Sequence, residues 1–215
     1  MSNFESLSKA VIAGNVGQAA EMTKNALDLG ARPMDILNLG LLPGMAVVGD
    51  RFKKGDMFVP EVLMAARVMH SCMEILKPML VDEEVPSAGT VVIGTVKGDL
   101  HDIGKNLVAM MLESAGFRVV NLGVDVPPEK FASAVREHKP HILGMSALLT
   151  TTMLRMKDTI ELLEEEGLRD KVKVIVGGAP VTRDFSEEIR ADGYAPDAAS
   201  AAELAKQIVG FTVSS

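Results

Sequence analysis

The stretch TVVIGTVKGDLHDIGKN (Thr90–Asn106) decides the fold of the second half of this 215-residue chain. It starts with a continuous, largely β-branched run, which is typical of a strand buried on both faces of a parallel sheet. From Gly104, apolar residues recur at helical spacing until Gly116, so a helix follows the strand. The loop between them carries Asp99, His101 and Asp102.

The alternation of strand and helix continues to the end of the chain. The predicted strands span residues 90–96, 118–123, 141–147 and 171–178, with a short fifth strand near Tyr194 and helices between them, one at 153–166. Strict alternation predicts a doubly wound, parallel, five-stranded sheet of Rossmann-like or flavodoxin-like type. Such sheets bind ligands beyond the carboxyl ends of their strands.

The first half of the chain shows only helical periodicity. Four or so helices with short loops are predicted up to about Leu80, with Pro43 dividing or kinking one of them and residues 53–56 (KKGD) forming a loop. The charged, then Pro- and Gly-bearing segment 81–89 (VDEEVPSAG) is interpreted as a linker and hinge. We therefore predict a helical bundle over 1–88 and a sheet domain over 89–215.

The composition excludes several function classes. The net charge is −7, Lys and Arg are mixed with acidic residues, Trp is absent and Tyr occurs once, so nucleic acid is not an expected partner. No apolar stretch reaches the roughly 18 residues that a membrane span needs. The single cysteine, Cys72, and the absence of a signal-peptide pattern predict a cytoplasmic protein.

Three loops at the carboxyl edge of the predicted sheet are unusual. They are Gly98–Gly104, Ser146–Thr152 and Gly177–Pro180. The first does not fit a phosphate loop, because five residues separate its glycines and Asn106 replaces the magnesium-binding hydroxyl. The dinucleotide pattern Gly-x-Gly-x-x-Gly is absent here, and Ser146 stands where a phosphorelay receiver has its aspartate.

A histidine next to an acid is the chemistry that remains in the first loop. A metal-bound imidazole usually donates its second ring N–H to a carboxylate, and Asp99 lies two residues before His101. The alternative is a solvated histidine in a turn, with Asp99 or Asp102 capping the next helix. One protein ligand cannot hold a bare zinc ion, so any metal has to arrive with its other ligands attached, as in a macrocycle.

These residues resemble a known family. The segment DLHDIG (99–104) matches the Asp-x-His-x-x-Gly signature of cobalamin-binding domains, and SALLTTT (146–152) and GGAPVT (177–182) match its Ser/Thr-rich and Gly-Gly segments. Residues 44–69 resemble the helical cap of cobalamin-dependent methionine synthase. The whole chain is similar to the corrinoid methyl-carrier proteins of methylamine, methanol and betaine methyltransferase systems.

The resemblance implies a role for each matched residue. His101 becomes the lower axial ligand of cobalt, with the cofactor's own base displaced; Asp99 accepts its ring N–H, and a hydroxyl extends this relay. By spacing that hydroxyl is assigned to Thr152, with Thr150 and Thr151 still open. The implied contacts with the corrinoid come from Gly98, Asp102, Ile103, Gly104, Ser146, Leu148, Thr150, Gly177 and Gly178, and from Phe58 of the bundle on the upper face.

The resemblance also implies function and partners. A corrinoid protein of this kind receives a methyl group on cobalt from a substrate-specific methyltransferase. A second methyltransferase passes the group to tetrahydrofolate or coenzyme M, and a reductive activation protein restores the cofactor. No substrate-binding barrel is predicted, so we expect a carrier subunit of one-carbon metabolism that has no catalytic activity alone.

Other functions fit the sequence less well. The small subunit of an adenosylcobalamin-dependent mutase shares the histidine motif but usually lacks the helical half. A cobalamin-based light sensor needs an output domain, and neither half offers one. A flavodoxin-like scaffold without cobalamin leaves the three loops unexplained.

Overall fold

The protein is described by a computed structural model, which places residues 3–79 and 88–210. The chain divides into two compact units that meet in the sequence between Pro86 and Ser87. Residues 81–87 of the predicted hinge lie outside the described residues. No helix within the two described ranges is both long enough and apolar enough to cross a membrane.

The first unit is a bundle of helices, as the sequence predicts. Its elements are α1 (Asn3–Ile12), α2 (Val16–Asp28), α3 (Pro33–Asp35), a π-helical segment (Ile36–Leu41), α4 (Leu42–Lys54), α5 (Val59–Leu76) and a 3₁₀ turn (Lys77–Met79). The Asn15 side chain caps α2 by accepting the backbone N–H of Gln18 at 3.2 Å. Apolar side chains of all the longer helices fill the core, with Leu7, Leu41, Val62 and Leu76 at most 1% exposed.

Of two local predictions for the bundle, one agrees with the structure and one was wrong in part. The helical segment around Pro43 is divided into successive elements, and Pro43 lies in the first turn of α4, directly after the π-helical segment. There the N–H of Leu42 bonds the carbonyl of Leu37, five residues back, so the chain widens just before the proline. Residues 53 and 54, which were predicted to lie in a loop, are helical, since α4 continues to Lys54 and its C-cap is Gly55, whose φ of 78° is left-handed.

The second unit is the predicted parallel sheet with helices between its strands, and the fold class is confirmed. Its elements are β1 (Gly89–Thr95), α6 (Ile103–Ser114), β2 (Phe117–Asn121), α7 (Pro128–His138), β3 (Ile142–Ser146), α8 (Thr150–Glu165), β4 (Lys173–Gly177), α9 (Arg183–Glu188), β5 (Gly193–Tyr194) and α10 (Ala198–Val209). The strand order is β2-β1-β3-β4-β5, with all neighbours parallel. The core of this unit includes Phe131, Leu143, Met156 and Ile160.

The strand order places the first and second unusual loops side by side. The chain leaves β1 toward β2 on one side and β3 toward β4 on the other, so the two neighbouring strands form the switch point of the sheet. Thr95, Ser146 and Gly177 pair across β1, β3 and β4, so the three loops leave the sheet from one edge. Helix α8 begins at Thr150, three residues earlier than predicted, which places Thr152 in its first turn.

Candidate functional site

The buried carboxylate of Asp99 organises the loop after β1. Its side chain is fully buried and accepts hydrogen bonds on both oxygens. Oδ1 accepts from the backbone N–H of His101 at 3.1 Å and from its ring Nδ1 at 2.7 Å. Oδ2 accepts from the backbone N–H of Leu148 at 2.7 Å and from the Thr152 hydroxyl at 2.6 Å. One carboxylate thus ties the loop after β1 to the loop after β3 and to α8.

These hydrogen bonds keep Asp99 ionised. Burial by itself raises the pKa of its carboxyl, but the hydrogen bonds from Thr152, Leu148 and His101 outweigh that effect and hold the pKa well below the ordinary aspartate value. An ionised carboxylate can only accept hydrogen bonds. Therefore Nδ1 of His101 carries the proton that the 2.7 Å contact needs.

The imidazole of His101 is accessible, and its second nitrogen can bind a ligand. With the proton fixed on Nδ1, the lone pair of a neutral ring is on Nε2. The side chain is 52% exposed, so a ligand can reach it. In a metal-binding histidine, the ring nitrogen that does not bind the metal usually donates its N–H to a carboxylate. The alternative of a merely solvated turn, with Asp99 as the cap of α6, does not agree with a buried Asp99 that bonds across the sheet edge.

Of the three candidate threonines, only Thr152 reaches Asp99. Thr150 and Thr151 are exposed on the outer side of the first turn of α8, whereas Thr152 is buried. Since α8 begins at residue 150, Thr152 is in helical conformation and faces back toward the β1 loop. The structure thereby selects one of the hydroxyls that spacing left open.

The other residues predicted near His101 form an open, partly apolar surface. Ile103 is 78% exposed and Leu148 and the neighbouring Leu100 are also exposed, which is unusual for side chains of this size. Asp102 occupies the N-cap position of α6 but does not cap it, because its carboxylate accepts from the Asn106 side chain at 3.0 Å instead. Ser146 lies half-buried at the end of β3.

The glycines of the site differ in what they accommodate. A Cβ on Gly178 would lie 1.9 Å from the Ala147 carbonyl oxygen, and one on Gly177 would lie 2.7 Å from the Ala195 carbonyl oxygen. Glycine is therefore required at both positions by the close packing of backbone within the sheet unit itself. At Gly104, by contrast, a Cβ would meet nothing within 4 Å, and φ is not left-handed. No protein contact requires glycine at this position, and the open space beside it leaves room for a ligand to approach.

Phe58 belongs to the bundle, where it is the N-cap residue of α5. Its ring is 67% exposed, so it is not part of the bundle core, whereas Val62 in the first turn of α5 is fully buried. Its backbone N–H donates to the Glu61 carboxylate at 2.8 Å, which fixes the start of α5. A contact of Phe58 with a cofactor stays a prediction.

Two residues near the histidine were missed by the sequence analysis. The hydroxyl of Thr95, at the end of β1, donates to the backbone carbonyl of His101 at 2.9 Å. The carboxylate of Asp125, whose φ is +52°, accepts the backbone N–H of Gly98 at 2.7 Å. Both residues were assigned only to a strand or a connection, because hydrogen bonds to a loop backbone leave no pattern in the sequence.

The described residues around His101 do not form a metal-binding cluster. Within residues 3–79 and 88–210, no group of three or more His, Cys, Asp or Glu side chains is arranged to hold a metal. A single imidazole supplies one ligand, whereas a bare zinc ion usually takes three or four from the protein.

Replacing Thr152 with Val should lower the free energy of unfolding at pH 7 by about 1.5–3 kcal/mol, since it removes a hydrogen bond to an ionised group. The hydrogen bonds lower the pKa of Asp99 in the fold, so their stabilisation is complete above the ordinary pKa of about 3.9. It is lost as the pH falls toward the folded pKa, and the difference between the two proteins should shrink there. Urea unfolding at several pH values measures it.

Thr151→Val is the matched control for this experiment, because Thr151 is the exposed neighbour on the same helical turn. Its free energy of unfolding should change by no more than about 0.5 kcal/mol. Equal effects of the two substitutions, or a difference that is independent of pH, would contradict the assignment of Thr152.

Known proteins are similar to this chain over nearly its whole length. Two family models, each described as a B12 binding domain, match residues 4–77 and 89–203. A corrinoid protein of Desulfitobacterium hafniense is 43% identical over 98% of this chain and 99% of its own length. The trimethylamine corrinoid protein 1 of Methanosarcina acetivorans is 48% identical over 84% of each chain.

A solved structure extends the agreement to three dimensions. The methanol:cobalamin methyltransferase complex MtaBC of Methanosarcina barkeri contains a chain that superposes with a TM-score of 0.86 at 35% identity, covering 98% of this chain and 80% of that one. Sequence and fold together confirm the predicted resemblance. The chain belongs to the B12-binding family of corrinoid proteins.

Proposed function

We propose that this chain carries a methyl group on the cobalt of a corrinoid, from a substrate-specific methyltransferase to a second methyltransferase. The observation that carries the proposal is the Thr152–Asp99–His101 hydrogen-bonded chain, which ends in a half-exposed imidazole. Relatives named as corrinoid proteins for trimethylamine and monomethylamine support it, as does the structural similarity to a methanol methyltransferase complex.

The residues at the carboxyl edge of the sheet fit a corrinoid. The ring is large, flat and apolar on its faces, and the surface around His101 offers exposed Ile103 and Leu148 together with the open space at Gly104. His101 supplies one nitrogen, which is what a metal already held by a macrocycle requires. The bound corrinoid would supply a cobalt centre that accepts and releases the methyl group.

Each protein group has a separate task in this proposal. Nε2 of His101 would hold the cobalt, and Asp99 fixes the ring and its tautomer through the hydrogen bond from Nδ1. Thr152 and the backbone N–H of Leu148 hold Asp99 ionised and in place. Ile103, Leu148 and Gly104 would contact the corrinoid ring and exclude water from it. Gly98, Asp102, Ser146, Thr150, Gly177, Gly178 and Phe58 complete the proposed contact set.

Partners are part of the proposed function. A carrier has no site for the methyl donor, so a methyltransferase must present the substrate; the complex of the solved relative supports a partner of this class. We further propose a second methyltransferase, with tetrahydrofolate or coenzyme M as acceptor, and a reductive activation protein. The methyl donors to test first are methylamines and methanol, the compounds in the names of the similar proteins.

His101→Ala should abolish nitrogen ligation of cobalt while the sheet unit stays folded, because Asp99 keeps three of its four hydrogen-bond donors. The test is to load the protein with cobinamide, a corrinoid that has no nitrogenous base of its own, and to reduce cobalt to the divalent state. The splitting that a cobalt-bound ¹⁴N produces is then recorded in the electron paramagnetic resonance spectrum. Methyl transfer with methylamine and methanol methyltransferases is assayed on the same variants loaded with hydroxocobalamin.

His138→Ala is the control, since His138 is a partly exposed histidine on α7 of the same unit. It should retain both the splitting and methyl transfer. A wild-type protein that stays colourless with excess corrinoid, or a nitrogen splitting that survives in His101→Ala, would contradict the proposed function.

Asp99→Asn should raise the midpoint potential of the Co(II)/Co(I) couple, because it removes the negative charge that lies 2.7 Å from Nδ1 of His101. A carboxylate at that nitrogen makes the imidazole a stronger donor to a metal, and the stronger donor favours the divalent state. Potentiometry of the two proteins at the same pH measures the difference. Identical potentials would reject this role of Asp99 but leave the role of His101 as a cobalt ligand intact.

Gly104→Leu should weaken corrinoid binding at least tenfold without lowering the thermal midpoint of the unloaded protein. The side chain enters space that no protein atom within 4 Å uses, and leucine is a better helix former than glycine. Gly17→Leu is the matched control: Gly17 lies in α2 with equally open surroundings, and its replacement should not change corrinoid affinity. Unchanged affinity in Gly104→Leu would mean that the ligand does not approach α6.

A further inference from the structure

Thr95 is a buried hydroxyl residue at the carboxyl end of β1. Its side chain is fully buried, and it is one of the few buried polar residues in the described part of the sheet unit. Its backbone is already paired, since its N–H donates to Gly123 and its carbonyl accepts from Val126. The strand therefore needs no hydroxyl at this position, and valine has nearly the same shape.

The hydroxyl of Thr95 forms its hydrogen bond with the loop that carries His101. It donates to the backbone carbonyl of His101 at 2.9 Å, six residues along the chain. A buried hydroxyl is costly unless it is hydrogen-bonded, so this contact is the energetic reason for its presence. The loop has no secondary structure of its own between Gly98 and Asp102, and each such bond restricts it.

His101 is held from two sides as a result. Asp99 holds its backbone N–H and its ring Nδ1, and both bonds end on the same oxygen, Oδ1. Two bonds that share one atom still allow the residue to pivot about that atom. The bond from Thr95 fixes the carbonyl on the other side of the residue and removes the pivot. Backbone and ring are then oriented together.

We propose that Thr95 is a positioning residue for the axial nitrogen of His101. It does not touch the metal; it fixes the backbone from which the imidazole projects, and so lowers the entropy lost when Nε2 binds. This inference rests on the proposed function. Removing the hydroxyl should weaken axial ligation by about two- to tenfold, the range expected for one hydrogen bond between neutral groups.

The experiment is a competition for the axial position. Wild-type protein and Thr95→Val are loaded with cobinamide, which has no nitrogenous base of its own, reduced to the divalent state and titrated with ¹⁵N-imidazole. The ¹⁴N of the protein gives a three-line splitting and the ¹⁵N of the competitor a two-line splitting, so the displaced fraction is read directly from the spectrum. Thr95→Val should need about two- to tenfold less competitor for half displacement.

Two further variants separate positioning from general stability. Thr95→Ser keeps the hydroxyl and should behave like the wild type. Thr159→Val removes a similar bond, since the buried hydroxyl of Thr159 in α8 donates to the Arg155 carbonyl at 2.9 Å. It should lower the thermal midpoint of the unloaded protein but leave the competition curve unchanged.

Each result decides between the claims. Wild-type behaviour of Thr95→Val would overturn the inference. Equal weakening of His101 ligation in Thr95→Ser would also overturn it, because the effect would then come from packing. Equal weakening in Thr159→Val would overturn it as well, because the effect would then come from a loss of stability. If the wild type itself shows no ¹⁴N splitting, the proposed axial role of His101 fails first. Weakening in Thr95→Val alone supports the positioning role.

Discussion

A buried, ionised carboxylate needs hydrogen-bond donors around it, and Asp99 has four of them. Without them the cost of removing this charge from water would exclude it from the interior. The donors come from its own loop, from the backbone of Leu148 and from Thr152 in α8. The two loops and the helix are therefore held together by the requirement to satisfy one side chain.

The sheet supplies the place where this requirement can be met. In the order β2-β1-β3-β4-β5 the chain leaves β1 and β3 in opposite directions, which opens a crevice at their carboxyl ends. The loops after β1 and β3 border that crevice without covering it. As a result Asp99 is buried while His101, only two residues away, stays half-exposed. This contrast makes the histidine accessible to a ligand and its support inaccessible to water.

The glycines show why the same residue type carries different information at different positions. Gly178 avoids a collision with the backbone of Ala147, and Gly177 one with Ala195, so these two report the tight packing of the sheet edge. Gly104 has no such neighbour. The resemblance implied the same role, contact with a cofactor, for all three glycines, because a sequence shows where side chains are missing but not what occupies the space.

The sequence alone determined the fold class, the two-part organisation and the His101 motif, because each depends on local periodicity or on a short pattern. The sequence did not predict features that depend on contacts with other residues. The π-helical segment before Pro43 depends on which carbonyl the N–H of Leu42 can reach. The start of α8 at Thr150, three residues before the predicted start, was missed as well. Only the tertiary structure selected Thr152 over Thr150 and Thr151 and revealed the contacts of Thr95 and Asp125. The physical reason is that hydrogen bonds between distant segments depend on direction and distance in three dimensions, which the order of residues does not specify.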